Sequence, residues 1–108
     1  MKIWVDDLRP TPEGYIGFNS TNAALRYITT HIDEIEILDL DHDMGDSFGG
    51  DCINIMNELE RISHSSAPKW EGFKEHIEKI KFRLHSANPV GVQNMRAVIE
   101  RNGWIEIF

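Results

Sequence analysis

The sequence predicts an α/β domain with a mostly parallel, five-stranded sheet that helices cover on both faces, a three-layer α/β/α sandwich. Two observations predict this class. Short apolar runs alternate along the chain with segments of helical periodicity. Three of those runs end in polar clusters, as strands of a parallel sheet do where they reach a ligand-binding edge. The length of 108 residues, 41% of them hydrophobic, suits a single domain over 1–108.

The first two strands are predicted at residues 3–5 and 15–19, separated by a proline- and glycine-containing loop at 8–14. A helix follows, capped by Ser20 or Thr21 and reaching about residue 31. The third strand is predicted at 35–40, where few positions are polar, and it ends in the cluster Asp41, His42 and Asp43.

A glycine-containing loop is predicted at 45–50, after which Asp51 caps a helix with an apolar stripe that includes the sole cysteine, Cys52. A short amphipathic helix around 70–77 precedes a strand at 80–84. Asn88 as N-cap and Pro89 at the first helical position begin the last helix, and the closing strand is predicted at 104–108.

Charge and cysteine content narrow the function classes. The chain has 11 basic against 18 acidic residues, a formal net charge of −7, so binding to duplex DNA is not expected. One cysteine excludes an intramolecular disulfide and fits a reducing cytoplasm. The N-terminal apolar run is too short for a signal peptide or a membrane span. We therefore expect a cytoplasmic protein without membrane association, and the oligomeric state stays open.

The acidic residues Asp6, Asp7, Asp41 and Asp43 follow two strands whose carboxyl ends share one edge of the sheet. Two carboxylates about 5 Å apart repel by roughly 3 kcal/mol at an effective dielectric near 20, so such a group favours a bound cation. Oxygen ligands suit Mg²⁺ or Mn²⁺, and His42 beside them favours a transition metal. The alternative is that one or two of these acids only cap loops or helices. Asp39, one step deeper on the face of Asp41, is predicted to be a buried partner for a basic side chain.

The third cluster places His85, Ser86 and Asn88 at a helix N-terminus, where free N–H groups and the helix dipole favour a phosphate. His85 is suited to general acid or base chemistry at neutral pH. Arg9 is a candidate for bidentate phosphate binding. The alternatives are an ordinary capped helix with an incidental histidine, and a solvated arginine.

The motifs at 5–10 (VDDLRP), 40–45 (LDHDMG) and 85–91 (HSANPVG), with Asn94 and Met95, resemble the receiver-like family described as cyclic-phosphate processing, which is related to response-regulator receiver domains. The resemblance implies a receiver-like (flavodoxin-like) fold. It matches Asp6 and Asp7 to the metal-binding acid pair, Asp41 to the phosphoacceptor and Ser86 to the conserved hydroxyl. The chain departs from signalling receivers because its closing strand has no lysine and residues 8–14 are too short for a full first helix.

The resemblance implies a metal-dependent phosphoesterase acting on a nucleotide-derived cyclic phosphate, for example ADP-ribose 1″,2″-cyclic phosphate or an RNA end. In this hypothesis Asp6, Asp7, Asp41 and Asp43 hold Mg²⁺ or Mn²⁺, and Arg9, Ser86 and Asn88 bind phosphate. Asp41, His42 and His85 carry the chemistry. Which histidine is the acid, and whether Asp41 or water attacks phosphorus, stays open. Two alternatives are a receiver domain phosphorylated on Asp41 and a non-catalytic module that binds a phosphorylated ligand.

Overall fold

The computed structural model describes residues 1–44 and 50–108. Its strands are β1 (Lys2–Val5), β2 (Tyr15–Phe18), β3 (Ile37–Leu40), β4 (Lys81–Leu84) and β5 (Ile105–Ile107). Its α-helices are α1 (Thr21–Thr30), α2 (Ile53–Ser63), α3 (Phe73–Ile77) and α4 (Pro89–Asn102). Short 3₁₀ turns at Ile32–Glu34 and Pro68–Trp70 precede β3 and α3.

The five strands form one sheet in the order β2-β1-β3-β4-β5, and every neighbouring pair is parallel. This is the flavodoxin-like strand order, in which the direction of winding reverses between β1 and β3 and ligands bind beyond the carboxyl ends of those strands. Val5 is level with Leu40, and Leu40 with Leu84, so three strands end together at one edge. The predicted receiver-like α/β fold is confirmed.

All four helices pack on the same face of the sheet, since α2 contacts α1, α3 and α4. The apolar layer beneath them is fully buried and includes Ile3, Val5, Leu38, Leu40 and Phe82. The helices thus form one layer, where the expected sandwich has two. The physical reason is that residues 8–14 hold no helix, and the three helical crossovers all run in one direction across the sheet, so their right-handed geometry puts them on one side.

The other face of the sheet carries a row of three register partners, Trp4, Asp39 and Arg83. Asp39 is fully buried, and the Nη1 of Arg83 donates to its Oδ2 at 2.9 Å. The prediction that Asp39 is a buried partner of a basic side chain is therefore confirmed. No helix of the described residues covers this row, which is open to solvent at Arg83, whose side chain is 45% exposed, while Trp4 and Asp39 are buried.

Two of the three N-cap residues predicted from the sequence are confirmed. The Oγ of Ser20 accepts the N–H of Ala23 and caps α1, and the Oδ1 of Asn88 accepts the N–H of Gly91 and caps α4, as predicted. The prediction that Asp51 caps α2 is wrong: Cys52 occupies the N-cap position.

The Oδ1 of Asp51 instead accepts the N–H of Met44 at 3.0 Å, so this carboxylate stabilises the turn after β3 and is not free to cap the helix. The third strand begins at Ile37, two residues later than expected, although Ile35 is buried. The loop predicted at 45–50 lies outside the described residues except for Gly50.

The thiol of Cys52, at the start of α2, is buried in the core. Burial, with a smaller contribution from nearby carboxylates, raises the pKa of the Cys52 thiol well above its usual range, which agrees with a packed side chain rather than a nucleophile. Within the part of the chain that is described, no helix combines the length and apolarity needed to cross a bilayer.

Glu60 on α2 joins that helix to α4 and makes the stability depend on pH. Its carboxylate accepts hydrogen bonds from Arg101 at 2.7 and 2.8 Å and from Asn102 at 2.5 Å, and these bonds lower its pKa from 4.5 to about 2. Because the pKa of Glu60 is lower in the folded protein than in the unfolded chain, its carboxylate stabilises the fold at pH values above 4.5. This stabilisation is lost as the pH falls from about 4.5 to 2. We expect Glu60→Gln to lower the free energy of unfolding by about 1 kcal/mol at pH 7, a figure that allows for the solvent exposure of the pair. Urea denaturation should show the difference shrinking toward pH 2; a difference that is constant across this range would contradict the assignment.

Candidate functional site

Three side chains are held level at the carboxyl edge of the sheet, because the backbone ladder continues one residue past each strand. The N–H of Asp6 donates to the carbonyl of Phe18, that of Asp41 to Val5, and that of His85 to Leu40, all at 3.0 to 3.1 Å. The sheet thereby brings together residues that lie far apart in the sequence.

The first cluster consists of Asp6, Asp7 and Asp41, whose nearest ligand atoms all lie within 4.8 Å of one another. Asp6 and Asp41 are buried, and Asp7 is half-buried. The Oδ1 of Asp6 also accepts the backbone N–H groups of Leu8 and Arg9, each at 2.8 Å. These bonds fold the chain sharply after β1 and fix the Asp6 carboxylate at the β1–β3 switch point.

Arg9 supplies positive charge to this cluster. Its Nη1 lies 3.0 Å from the Oδ2 of Asp6 and 3.3 Å from the Oδ2 of Asp41. The structure thus places Arg9 on the carboxylates, whereas the sequence suggested a phosphate ligand. Its side chain is 45% exposed, so the guanidinium pairs with the carboxylates from the solvent side.

The Asp6 carboxyl is held in its charged form. Burial raises its pKa, but the hydrogen bonds from the backbone of Arg9 and Leu8 and from the side chains of Arg9 and His85 outweigh burial and lower the pKa to about 2. Asp6 is therefore a carboxylate at any physiological pH, as a metal ligand must be.

His85 bridges the acid cluster and the buried Asp39. Its Nδ1 is 2.5 Å from the Oδ1 of Asp39, and its Nε2 is 2.9 Å from the Oδ2 of Asp6. The indole ring of Trp4 stacks on the imidazole with a centroid distance of 3.8 Å and an interplanar angle of 6°. The cluster after β4 predicted His85 as a site residue, but Trp4 was not predicted, because its position in an apolar strand carries no signal of a contact 81 residues away.

His42, Asp43 and Asp51 form a second cluster, with their ligand atoms also within 4.8 Å of one another. The Nδ1 of His42 is 2.8 Å from the Oδ1 of Asp43 and 4.0 Å from the Oδ2 of Asp51. Asp43 was predicted to share a metal with Asp6, Asp7 and Asp41, but the structure groups it with His42. The reason is the strand alternation that ends at Asp41: the following residues turn away from the sheet edge toward α4.

Ser86 and Asn88, which precede α4, form hydrogen bonds at the start of that helix. The Oγ of Ser86 accepts the N–H of Asn88 at 3.1 Å, and the amide of Asn88 caps α4 and donates to Asp43 at 3.1 Å. Both residues were predicted to bind phosphate. Their described contacts are with the start of α4 and with Asp43, which leaves their role toward a ligand as a prediction.

A cleft of about 370 Å³ opens beside the acid cluster. It is lined by two acids of the cluster and by residues of the 8–14 loop and the end of β2, namely Asp6, Asp7, Arg9, Pro10, Thr11, Gly17, Phe18 and Asn19. Its volume suits a small ligand. Apart from Arg9, the lining from the loop and β2 was not predicted, because nothing in the sequence indicates how a short loop folds against its neighbouring strand.

The residues of the first cluster fit a hard divalent cation. They offer only carboxylate oxygens, the ligand type that Mg²⁺ and Mn²⁺ prefer. The position of Arg9 between Asp6 and Asp41 supports the same conclusion, since the pair already attracts a positive charge. Asp6, Asp7 and Asp41 are the residues that would hold the ion.

The absence of a side chain at Gly91 makes room for His42. A Cβ at this position would lie 2.3 to 2.6 Å from three atoms of the imidazole ring. In a helix, glycine to alanine is normally stabilising by about 0.5 to 1 kcal/mol. We expect Gly91→Ala to lower the free energy of unfolding by about 1 to 3 kcal/mol instead, because overpacking displaces the ring.

The double variant Gly91→Ala with His42→Ala removes the clash and serves as the control. Chemical denaturation should show that Gly91→Ala is neutral or stabilising in the His42→Ala background. Equal destabilisation in both backgrounds would show that His42 does not pack against Gly91.

Comparison with known proteins gives one finding. Residues 1–101 match the family model described as the cyclic-phosphate processing receiver domain. No curated protein and no solved structure matches the chain. The matched segment includes both clusters, the Arg9 loop and His85, and it covers nearly all of the sheet. The chain therefore belongs to the cyclic-phosphate processing receiver domain family.

Proposed function

We propose that the protein is a metal-dependent phosphoesterase that opens a cyclic phosphate on a nucleotide-derived substrate. One observation carries the proposal: the imidazole of His85 is bonded directly to Asp6 of the acid cluster, beside a cleft large enough for a small ligand. A carboxylate cluster that suits a cation and a histidine within hydrogen-bond distance are the two components that metal-assisted hydrolysis of a phosphate ester requires.

Asp6, Asp7 and Asp41 hold the cation in this proposal. A divalent ion bound there supplies positive charge against the phosphate and promotes the attack of water. Arg9 adds a second positive group: as its guanidinium leaves the carboxylates, it is close enough to meet a phosphate oxygen.

The ring-opening step needs one proton removed and one delivered. The oxygen of water forms a bond to phosphorus while one P–O bond of the ring breaks. The proton lost by water goes to a base, and the leaving alkoxide takes a proton from an acid. His85 is the group that exchanges a proton at the cluster, and His42, in the second cluster, is the less direct candidate.

Attack by water is favoured over attack by Asp41. The Oδ1 of Asp41 accepts the backbone N–H of His42 at 2.8 Å, and its Oδ2 lies 3.3 Å from Nη1 of Arg9. With both oxygens engaged and its side chain 8% exposed, Asp41 is better placed to hold a cation than to attack phosphorus. This supports hydrolysis rather than phosphoacceptor signalling.

The proposal is tested by incubating the protein with Mg²⁺ or Mn²⁺ and a panel of cyclic phosphates, including 2′,3′-cyclic AMP and ADP-ribose 1″,2″-cyclic phosphate, and following ring opening by phosphorus NMR. We expect turnover of at least one member. His85→Ala should lower the rate by about 10²- to 10⁴-fold, the range typical of a lost acid–base group. Asp41→Asn should also lower the rate, because it removes a carboxylate from the proposed cation site.

Two variants of exposed residues are matched controls, Asp33→Asn and His64→Ala, and both should leave the rate unchanged. Three results would contradict the proposal. One is that no substrate is opened. Another is stable labelling of Asp41 by acetyl phosphate without ring opening, which would identify a receiver. The third is tight binding of a cyclic phosphate without product, which would identify a binding module.

A further inference from the structure

We propose that Asp39 is a positioning residue for His85: it fixes the orientation of the imidazole and places a proton on its Nδ1, so that Nε2 faces the acid cluster. The inference rests on the proposed function for its effect on turnover, and on geometry alone for its effect on the ring. It assigns a role to a carboxylate that lies outside the candidate metal cluster.

The contact between the two side chains is short and buried. The Oδ1 of Asp39 lies 2.5 Å from the Nδ1 of His85, Asp39 is fully buried, and the His85 side chain is 9% exposed. A carboxylate accepts hydrogen bonds and cannot donate one, so the ring nitrogens are the donors in both contacts, Nδ1 to Asp39 and Nε2 to Asp6. Because the two nitrogens lie on one rigid ring, the same contact aims Nε2 at the Oδ2 of Asp6, at 2.9 Å.

Asp39 is itself held in place from the other side. The Nη1 of Arg83 donates to its Oδ2 at 2.9 Å, and the register of the sheet sets Asp39 between Trp4 on β1 and Arg83 on β4. Its carboxylate therefore has one oxygen for the arginine and one for the histidine. The ion pair with Arg83 compensates the charge of Asp39 without any histidine. The contact between Asp39 and His85 therefore has a role beyond charge compensation.

Trp4 restrains the remaining freedom of the ring. Its indole lies nearly parallel to the imidazole, with 6° between the ring planes and a centroid distance of 3.8 Å, so tilting the His85 ring would break the stack. The hydrogen bond to Asp39 fixes rotation within the plane. Together the two contacts hold the imidazole before any substrate arrives, and such second contacts to a site residue are commonly worth 10- to 100-fold in activity.

The test compares wild type, Asp39→Asn, His85→Ala and the double variant in the ring-opening assay. We expect Asp39→Asn to lower kcat by about 10- to 100-fold with KM changed by less than about threefold. In the His85→Ala background the same substitution should have no further effect, because Asp39 acts only through the imidazole. Equal losses in both backgrounds would overturn the proposal.

Glu106→Gln is the matched control. Glu106 is also a strand carboxylate paired with an arginine, with Arg96 nitrogens 2.7 to 3.0 Å away and 10% of its side chain exposed. A general effect of breaking such a pair would appear in both variants. We expect kcat to change in Asp39→Asn alone, and a similar loss in Glu106→Gln would count against a positioning role.

Nitrogen-15 NMR of the imidazole in the metal-free protein gives a readout that does not depend on activity. In wild type, Nδ1 of His85 should carry a proton that exchanges slowly with solvent, and Asp39→Asn should shift that resonance while leaving His64 unchanged. A wild-type ring without a proton on Nδ1 would overturn the inference even if Asp39→Asn does not fold. If no cyclic phosphate is opened, the proposed function fails, and the spectrum still decides whether Asp39 orients the ring.

Discussion

The site depends on the burial of carboxylates at the point where β1 and β3 end together. Asp6, Asp39 and Asp41 are all buried, and charges removed from water must be compensated by partners or by a bound ion. Arg9 forms ion pairs with Asp6 and Asp41, and Arg83 forms one with Asp39. His85 contacts both Asp6 and Asp39 and so links the two sets of ion pairs. The geometry of the site depends on how these partners reach the carboxylates, because each partner must approach along a direction that the sheet leaves open.

The single helical layer is what leaves that direction open. In the usual form of a parallel sheet both faces are covered. Here the short 8–14 loop replaces a helix, so the row is open to solvent at Arg83 while Trp4 and Asp39 are buried, and the loop itself walls the cleft beside Asp6 and Asp7.

Sequence patterns predicted the strands, the helices and the residues at the strand ends, because hydrophobic periodicity and capping signals act locally. They also predicted that Asp6, Asp7 and Asp41 meet, since parallel strands that end level must bring their following residues together. They did not predict that Asp43 joins His42, that Asp51 holds Met44, or that Trp4 stacks on His85. Those contacts depend on side-chain direction after a turn and on packing across strands, for which neither spacing nor composition carries a signal.

The metal site at the end of β1 and β3 is tested most directly by locating a bound metal with anomalous diffraction from crystals soaked in Mn²⁺. We expect one strong peak within coordination distance of Asp6, Asp7 and Asp41, with the guanidinium of Arg9 moved off the carboxylates. A peak held by His42, Asp43 and Asp51 instead, or no peak at the first cluster at millimolar Mn²⁺, would contradict the claim that the end of β1 and β3 is the metal site.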